Sequence, residues 1–531
     1  MITLKKRRRF IQIGQPFLIL TILTTMLSGC AGTVQPNPIE IDRHYGGVFN
    51  NALASEPLSV DTHCENDDQM HPIEALVMES LVAFGENYSV VPMLAESWEV
   101  SHNDTLYTFF LRRGVYFHNG KEMTAGDVIA SLDRYLRVGC RAGEFNMIVS
   151  YKALDEYTIS VEIAQPTAAF LYNLAMPECA LNIYPKEIIQ NRPQNDLDWG
   201  DLIGTGPYHL TEHEVDKVIV LQRFDDYQPY PGQRDGLGGA KNAYFDEIRF
   251  YVVPGYAERI AGLQEGLFDW IQDDYNSDLL ESNPDLETTW DEHAGAHHLL
   301  FNHASAPTAD PQFRQAVRMA LDVEAFGMFV WGGCSRCFRM SYSLWPLTSY
   351  YYASDPSCAS QYNQHDPEKA RELLGDSGYT GQTLVCIAPT DDKPSLNACT
   401  YLQGALADEL GVNVEIERIE GDLLERLSGE EPWHLAITVF PNATGSIPAW
   451  YPGDPSLIGY ASEEMNFSYA CLEKSTTYAG RLGCLEDVQR IAYMDVIDIK
   501  LWNIVTPWLH RNNIQGYQSW YFPRFFGVWK E

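Results

Sequence analysis

Residues 114–135, GVYFHNGKEMTAGDVIASLDRY, constrain the chain more than any other stretch. Val115 and Phe117 are the apolar members of an alternating run, which predicts a strand end. Asn119-Gly120 then turns the chain, because both residues tolerate positive φ. Thr124 stands at an N-cap position with Asp127 three residues on, an acidic variant of the capping box. Val128, Leu132 and Tyr135 follow at helical spacing. The unit is strand, turn and capped helix.

The same alternation runs along the chain. Residues 106–111 and 157–163 read as strands, and 73–81 as an amphipathic helix. A helix at 259–266 precedes Phe268-Asp269-Trp270, and a helix at 402–410 precedes a strand at 412–416. Residues 472–500 read as largely helical. Short strands alternating with helices predict α/β layers. At 531 residues, with 45% hydrophobic content, the chain is long enough for two or more lobes with sizeable cores.

The N-terminus reads as a leader. Lys5-Lys6-Arg7-Arg8-Arg9 is a positive segment, and an apolar stretch at 16–27 is too short and interrupted to span a membrane. Leu27-Ser28-Gly29-Cys30 looks like a bacterial lipobox, with Cys30 as the lipidated first residue of the mature chain. Acyl chains there would hold the protein on a membrane face while the fold stays in water. Residues 31–44, with Pro36 and Pro38, read as a tether. Without the five basic residues of the leader, 32 basic side chains face 72 acidic ones, a net charge of −40. That argues against a nucleic-acid partner, which requires a basic face. Ten cysteines remain beyond Cys30, and an even number in an exported chain reads as disulfides. Cys471/Cys484 and Cys386/Cys399 are near enough in sequence for local bridges, and the CxxC at Cys334 and Cys337 reads as a structural staple; the pairing otherwise stays open.

Taken in order, residues 114–135 resemble the signature of the family 5 extracytoplasmic solute-binding proteins, the peptide- and nickel-type receptors of ABC importers. The family pattern reads roughly G-V-x-F-H-N/D-G-x-x-F/L-T-A-x-D-V-x-x-S, and Met123 is the main departure from it. ESL at 79–81 resembles the family's YEGL step, PMLAESW at 92–98 its P-x-L-A-x-S-W helix, and GTGPY at 204–208 its turn. YFDEIRF at 244–250, HLLFN at 298–302, FRQAVRMALD at 313–322 and DPEKARELL at 366–374 continue the match, which covers about residues 45–515. The resemblance implies a type II periplasmic-binding-protein-like fold, two lobes joined by a hinge, with an extra subdomain in the first lobe. The implied organisation is a leader at 1–29, a tether at 30–44, a first lobe at 45–295 with its subdomain at about 72–180, a second lobe at 296–495, and a return to the first lobe at 496–531.

No motif for enzyme chemistry stands out: there is no GxSxG, HExxH, P-loop or dinucleotide-binding glycine pattern. His293, His297, His298 and His303 cluster, but a strand there would point His297 and His298 to opposite faces, so the two cannot share an ion. No metal ligand and no cofactor are assigned. The resemblance implies a ligand enclosed between the lobes, near the early loop at Asp61, the inter-lobe crossing and a late segment at 434–455. Trp270, Asp273, Asp274 and Tyr275 form one candidate group, suited to a cation by ring and carboxylate. Phe440, Asn442, Trp450, Tyr451 and Asp454 form another. Many peptide-binding members carry an acidic clamp in the late segment; here that position falls on Tyr451 or Asn442, neither an acid, with Asp454 the nearest substitute. Arg336 and Arg339, beside Trp345 and Tyr350-Tyr351-Tyr352, form a third candidate surface.

The function implied is a lipid-anchored receptor of an ABC importer. It takes a peptide or other small polar solute, closes on it and delivers it to membrane permease subunits, as a monomer and without covalent chemistry. The alternatives are a receptor for a metal complex or haem on the same fold, and an exported enzyme or a sensor on a binding-protein scaffold.

Overall fold

The computed structural model describes residues 45–531 except 66, 194–195, 273–282, 293–294, 347–348, 350–351, 391, 422, 430, 441–450 and 452–455. Two sheets organise it. The first has seven strands, in the order Leu286–Asp291, Thr506–Arg511, Trp270–Gln272, Val48–Leu53, Glu247–Val252, Val218–Arg223 and Tyr208–Glu214. The second has six: Phe338–Arg339, Asp498–Ile504, Ala296–Phe301, Leu435–Phe440, Leu384–Pro389 and Val414–Ile419. Parallel and antiparallel pairs mix in both, and helices cover them, the α/β arrangement expected.

A four-stranded antiparallel sheet, Ala95–Ser101, Leu106–Leu111, Thr158–Ile163 and Ile148–Asp155, forms the extra subdomain with the helix Ala125–Val138. That helix starts at Thr124 with the expected capping box, Asp127 bonding back to the Thr124 amide at 3.0 Å. Gly120 supplies the positive φ of the preceding turn, at 81°.

Three expectations are corrected. PMLAESW does not form a helix: Ala95–Ser101 is a strand, because it pairs antiparallel along Leu106–Leu111. The helix at 73–81 is His71–Val77 and is buried on every side rather than amphipathic, being packed between the strands Phe522–Arg524 and Tyr208–Glu214. The stretch 472–500 breaks twice. Thr477 caps a new helix, its hydroxyl accepting from the Gly480 amide at 3.1 Å, and Val496 takes a left-handed φ of 47° that ends it. Asp498–Ile504 is then a strand of the second sheet, so the chain leaves that sheet after Ile504 and not at 496.

Disulfides join Cys140 to Cys179, Cys334 to Cys337 and Cys471 to Cys484. Cys386 and Cys399 lie with their sulfurs 2.7 Å apart, and Cys64 and Cys358 are buried and unbridged. Among the described residues no helix is long and apolar enough to cross a membrane.

Candidate functional site

The two sheets are joined by two crossings that run side by side. The first links Leu286–Asp291 to Ala296–Phe301, and the second links Asp498–Ile504 to Thr506–Arg511 through Val505. Asp291 pairs with Thr506 on one side, and Ala296 pairs with Asn503 on the other. The Ile504 amide donates to the Gly295 carbonyl between them at 2.9 Å. Each crossing is anchored at both ends. Asp291 accepts from the Trp508 indole at 3.2 Å and from the Ser519 hydroxyl, both in the first lobe. On the other side Arg339 Nε donates to Glu292 Oε1 at 3.0 Å, and the Val505 amide donates to the Cys337 carbonyl at 3.0 Å. Few residues therefore have to change φ and ψ for the lobes to rotate against each other, the geometry of a hinge.

The candidate residues divide. Asp61 is fully buried, and Arg134 donates to both of its carboxylate oxygens, Nη1 to Oδ1 at 2.8 Å. Burial pushes the Asp61 carboxyl up, and the Arg134 guanidinium more than offsets it, leaving the group below the usual carboxylate range. Trp270 is likewise in the core, stacked on Trp508 at 5.2 Å with Phe525 edge-on. In this conformation both side chains are buried against protein partners, as those of Phe440 and Tyr451 also are. Arg336 and Arg339 lie beside the first crossing. Arg336 lies over the Trp290 ring, Arg339 pairs with Glu292, and Trp345 is fully buried. Asp273, Asp274, Tyr275, Asn442, Trp450 and Asp454 lie outside the described residues, as do Cys30, Tyr350 and Tyr351.

Phe440 and Tyr451 are brought together. Phe440 ends the strand Leu435–Phe440, with the His298 ring edge-on at 6.1 Å. The Tyr451 hydroxyl donates to Asp498 Oδ1 at 2.9 Å, and His298 Nδ1 donates to Asp498 Oδ2 at 3.1 Å. His297, its neighbour, points to the opposite face, between Trp331 and Trp502. The strand therefore separates the two imidazoles as its pleat requires. Among the described residues no group of three or more His, Cys, Asp or Glu side chains is placed to hold a metal ion.

Two features escaped the sequence reading. One is the buried pair Asp498 and Lys500, hidden in a stretch read as helix. The other is a small, partly open pocket in the first lobe, lined by Glu74, Lys241, Met78, Met93, Met176 and Phe522 among others. Burial pushes the Glu74 carboxyl up to about 8 and pulls the Lys241 ammonium below its ordinary value. Neither had a local signal, since burial of an acid or an amine is a tertiary property.

Four histidines are held neutral by burial: His63, His118 and His303 near pKa 4 and His297 near 3. Hydrogen bonding fixes His118 independently. Its Nδ1 accepts from the Gly204 amide at 3.2 Å, so the proton sits on Nε2, which donates to the Gly206 carbonyl at 3.0 Å. Between pH 6.5 and about 4 the unfolded chain binds these protons and the folded chain does not. Stability is therefore fully present above pH 6.5 and falls as pH drops, by up to about 1.4 kcal/mol per pH unit for each such histidine. Guanidinium midpoints measured from pH 7.5 to 4.5 should fall accordingly. His118→Gln, which offers one acceptor and one donor but does not titrate, should flatten that dependence; an unchanged slope would refute the assignment for His118.

Comparison with known proteins agrees with this geometry. The model for bacterial extracellular solute-binding proteins, family 5, matches residues 89–458. The chain is 29% identical to the dipeptide-binding protein of Escherichia coli over 415 residues, 72% of each chain. It is 27% identical to the oligopeptide-binding protein AppA of Bacillus subtilis over 461 residues, 82% of this chain and 81% of that one. Among solved structures, NikA of Brucella suis in complex with Fe(III)-EDTA superposes with a TM-score of 0.78 at 19% identity, covering 91% of this chain and all of that one. CtaP of Listeria monocytogenes gives 0.77 at 18% identity, covering 89% and 95%. These two likenesses bear on the fold, while the family match spans most of the chain: the protein belongs to family 5 of the bacterial extracellular solute-binding proteins.

Proposed function

We propose that this chain is the solute receptor of an ABC importer. It is exported, anchored to a bacterial membrane through lipid on Cys30, and works as a monomer. It captures a peptide or another small polar solute between its lobes and delivers it to permease subunits. The observation that carries the reading is the paired crossing. Two sheets linked by adjacent, individually anchored strand ends can open and close as bodies, and a ligand that touches both lobes favours the closed form by its differential affinity. Relatives whose names specify dipeptides, oligopeptides and glutathione support a peptide-like solute. The described histidines do not favour a metal or haem cargo. His297 and His298 face apart, and His303 Nε2 donates to the Ile497 carbonyl at 2.8 Å.

Native mass spectrometry of the soluble mature chain lacking Cys30, purified from its export compartment and then denatured, reads the cargo directly. A spread of released masses matching short peptides is the expected result. A single discrete organic mass would narrow the reading to one dedicated solute. A metal- or haem-bearing mass would overturn it.

A further inference from the structure

Behind Tyr451 lies a buried cluster that fastens two segments of the second lobe. Asp498, Lys500 and His298 are each almost fully buried, on the neighbouring strands Asp498–Ile504 and Ala296–Phe301. Asp498 accepts from the Tyr451 hydroxyl and from His298. Lys500 Nζ donates to the Ser343 carbonyl at 2.8 Å and to Asn503 Oδ1 at 2.6 Å. From the helix Tyr478–Asp495, Gln489 Oε1 accepts the Leu344 amide at 3.0 Å, and the Tyr493 hydroxyl donates to the Tyr342 carbonyl at 2.7 Å. Residues 342–345 belong to no strand or helix, yet Ser343, Leu344 and Trp345 are buried. Side chains thus take the place of a backbone ladder there.

Stability alone does not call for such a cluster. Charges taken out of water cost desolvation, and well-packed apolar residues of the same volume serve a core as well or better; what buried polar groups add is a single register. Here the register concerns specific partners. Tyr451 and Trp345 lie in the same contiguous buried cluster as Phe49 and Trp270 of the first sheet, whereas Leu299 and Phe301 pack in a separate core. The face that the cluster supports is therefore the one continuous with the first lobe. The strand that carries Asp498 and Lys500 ends at Ile504, one residue before the second crossing.

We propose that Asp498, Lys500 and His298 form the positioning unit of the second lobe's binding face, holding Tyr451 and residues 342–345 in one pose relative to the hinge. This rests on the receptor reading above, and its first test does not need a ligand. In the free mature chain, hydrogen exchange read by mass spectrometry should speed up at least tenfold in peptides covering 341–346 and 456–460 in Tyr451→Phe and Lys500→Met. Peptides covering 296–301 and 384–389 should keep their protection. Tyr451→Phe deletes a single hydroxyl and keeps the test available if Lys500→Met does not fold. Unchanged exchange in the two segments, or faster exchange spread evenly over the second lobe, would overturn the proposal. The second test uses an equimolar library of unmodified tripeptides and native mass spectrometry. Occupancy should fall at least tenfold in Tyr451→Phe relative to the natural chain. Equal occupancy in both would also overturn the positioning role. No tripeptide on either chain, with the exchange difference present, would count against the peptide reading and leave the positioning unit supported.

Discussion

Asp61→Ala is expected to remove about 3–5 kcal/mol of folding stability, because it strands a charge in the core. Arg134, on the helix Ala125–Val138, has no exposed side-chain surface, and neither has Asp61. The two oxygens of Asp61 match the guanidinium fork, and the other partners of Arg134 are the Pro193 carbonyl at 3.0 Å and His63 Nδ1 at 3.2 Å. Removing the carboxylate leaves the cation buried with neutral partners only. Replacing both members, as Asp61→Ala with Arg134→Met, should recover a large part of the loss, since the desolvation cost leaves with the charges. Arg192→Ala, which breaks exposed contacts to Asp196 and Asp201, should change stability by less than about 1 kcal/mol. The guanidinium midpoint at unchanged slope measures all three. If Asp61 instead served the ligand, Asp61→Ala would lower cargo occupancy and leave the midpoint in place.

Asp61 also shows where a sequence stops being legible. Its loop position is readable, and a carboxylate in such a loop invites a ligand. What decides its role is an arginine 73 residues further on, and nothing local announces that pairing. The same holds for PMLAESW, whose neighbours across the sheet at 106–111 impose the strand, and for Lys500, whose burial follows from strands 200 residues apart coming together. Features set by near neighbours were legible: the turn at Gly120, the cap at Thr124, and the strand at 106–111. The motifs behind the family resemblance were legible as well, and they prove to be packing devices. Arg314, in the run FRQAVRMALD, donates to the carbonyls of Val496, Asp495, Thr308 and Ala309, and so clamps the end of the helix Tyr478–Asp495 to its own. A family's most recognisable residues here maintain the scaffold.

The GTGPY turn is the sharpest case, and Gly206→Ala is expected to cost about 3–5 kcal/mol. The backbone of the helix Val77 end runs directly against this turn. A Cβ built on Gly206 would stand 2.4 Å from the Leu76 carbonyl oxygen and 2.8 Å from the Val77 carbonyl carbon. On Gly204 it would stand 2.0 Å from the Val77 carbonyl oxygen. The obstacle is backbone, which no rotamer change relieves, so the turn has to lift away. Lifting it forces overpacking, at roughly 1–3 kcal/mol. It also breaks the bond from the Gly206 amide to the Val77 carbonyl, 3.0 Å, and that from His118 Nε2 to the Gly206 carbonyl, at about 1 kcal/mol each. The signature histidine and the signature glycines are thus one device: His118 bonds to Gly204 and Gly206 together and seats the turn on the helix His71–Val77. Gly143→Ala is the matched control, because a Cβ there meets nothing within 4 Å, and it should shift stability by no more than about 0.5 kcal/mol. Thermal and guanidinium unfolding of the two variants side by side measure the difference. Equal stability would mean that the close approach of turn and helix relaxes without cost, and the packing explanation of GTGPY would fall with it.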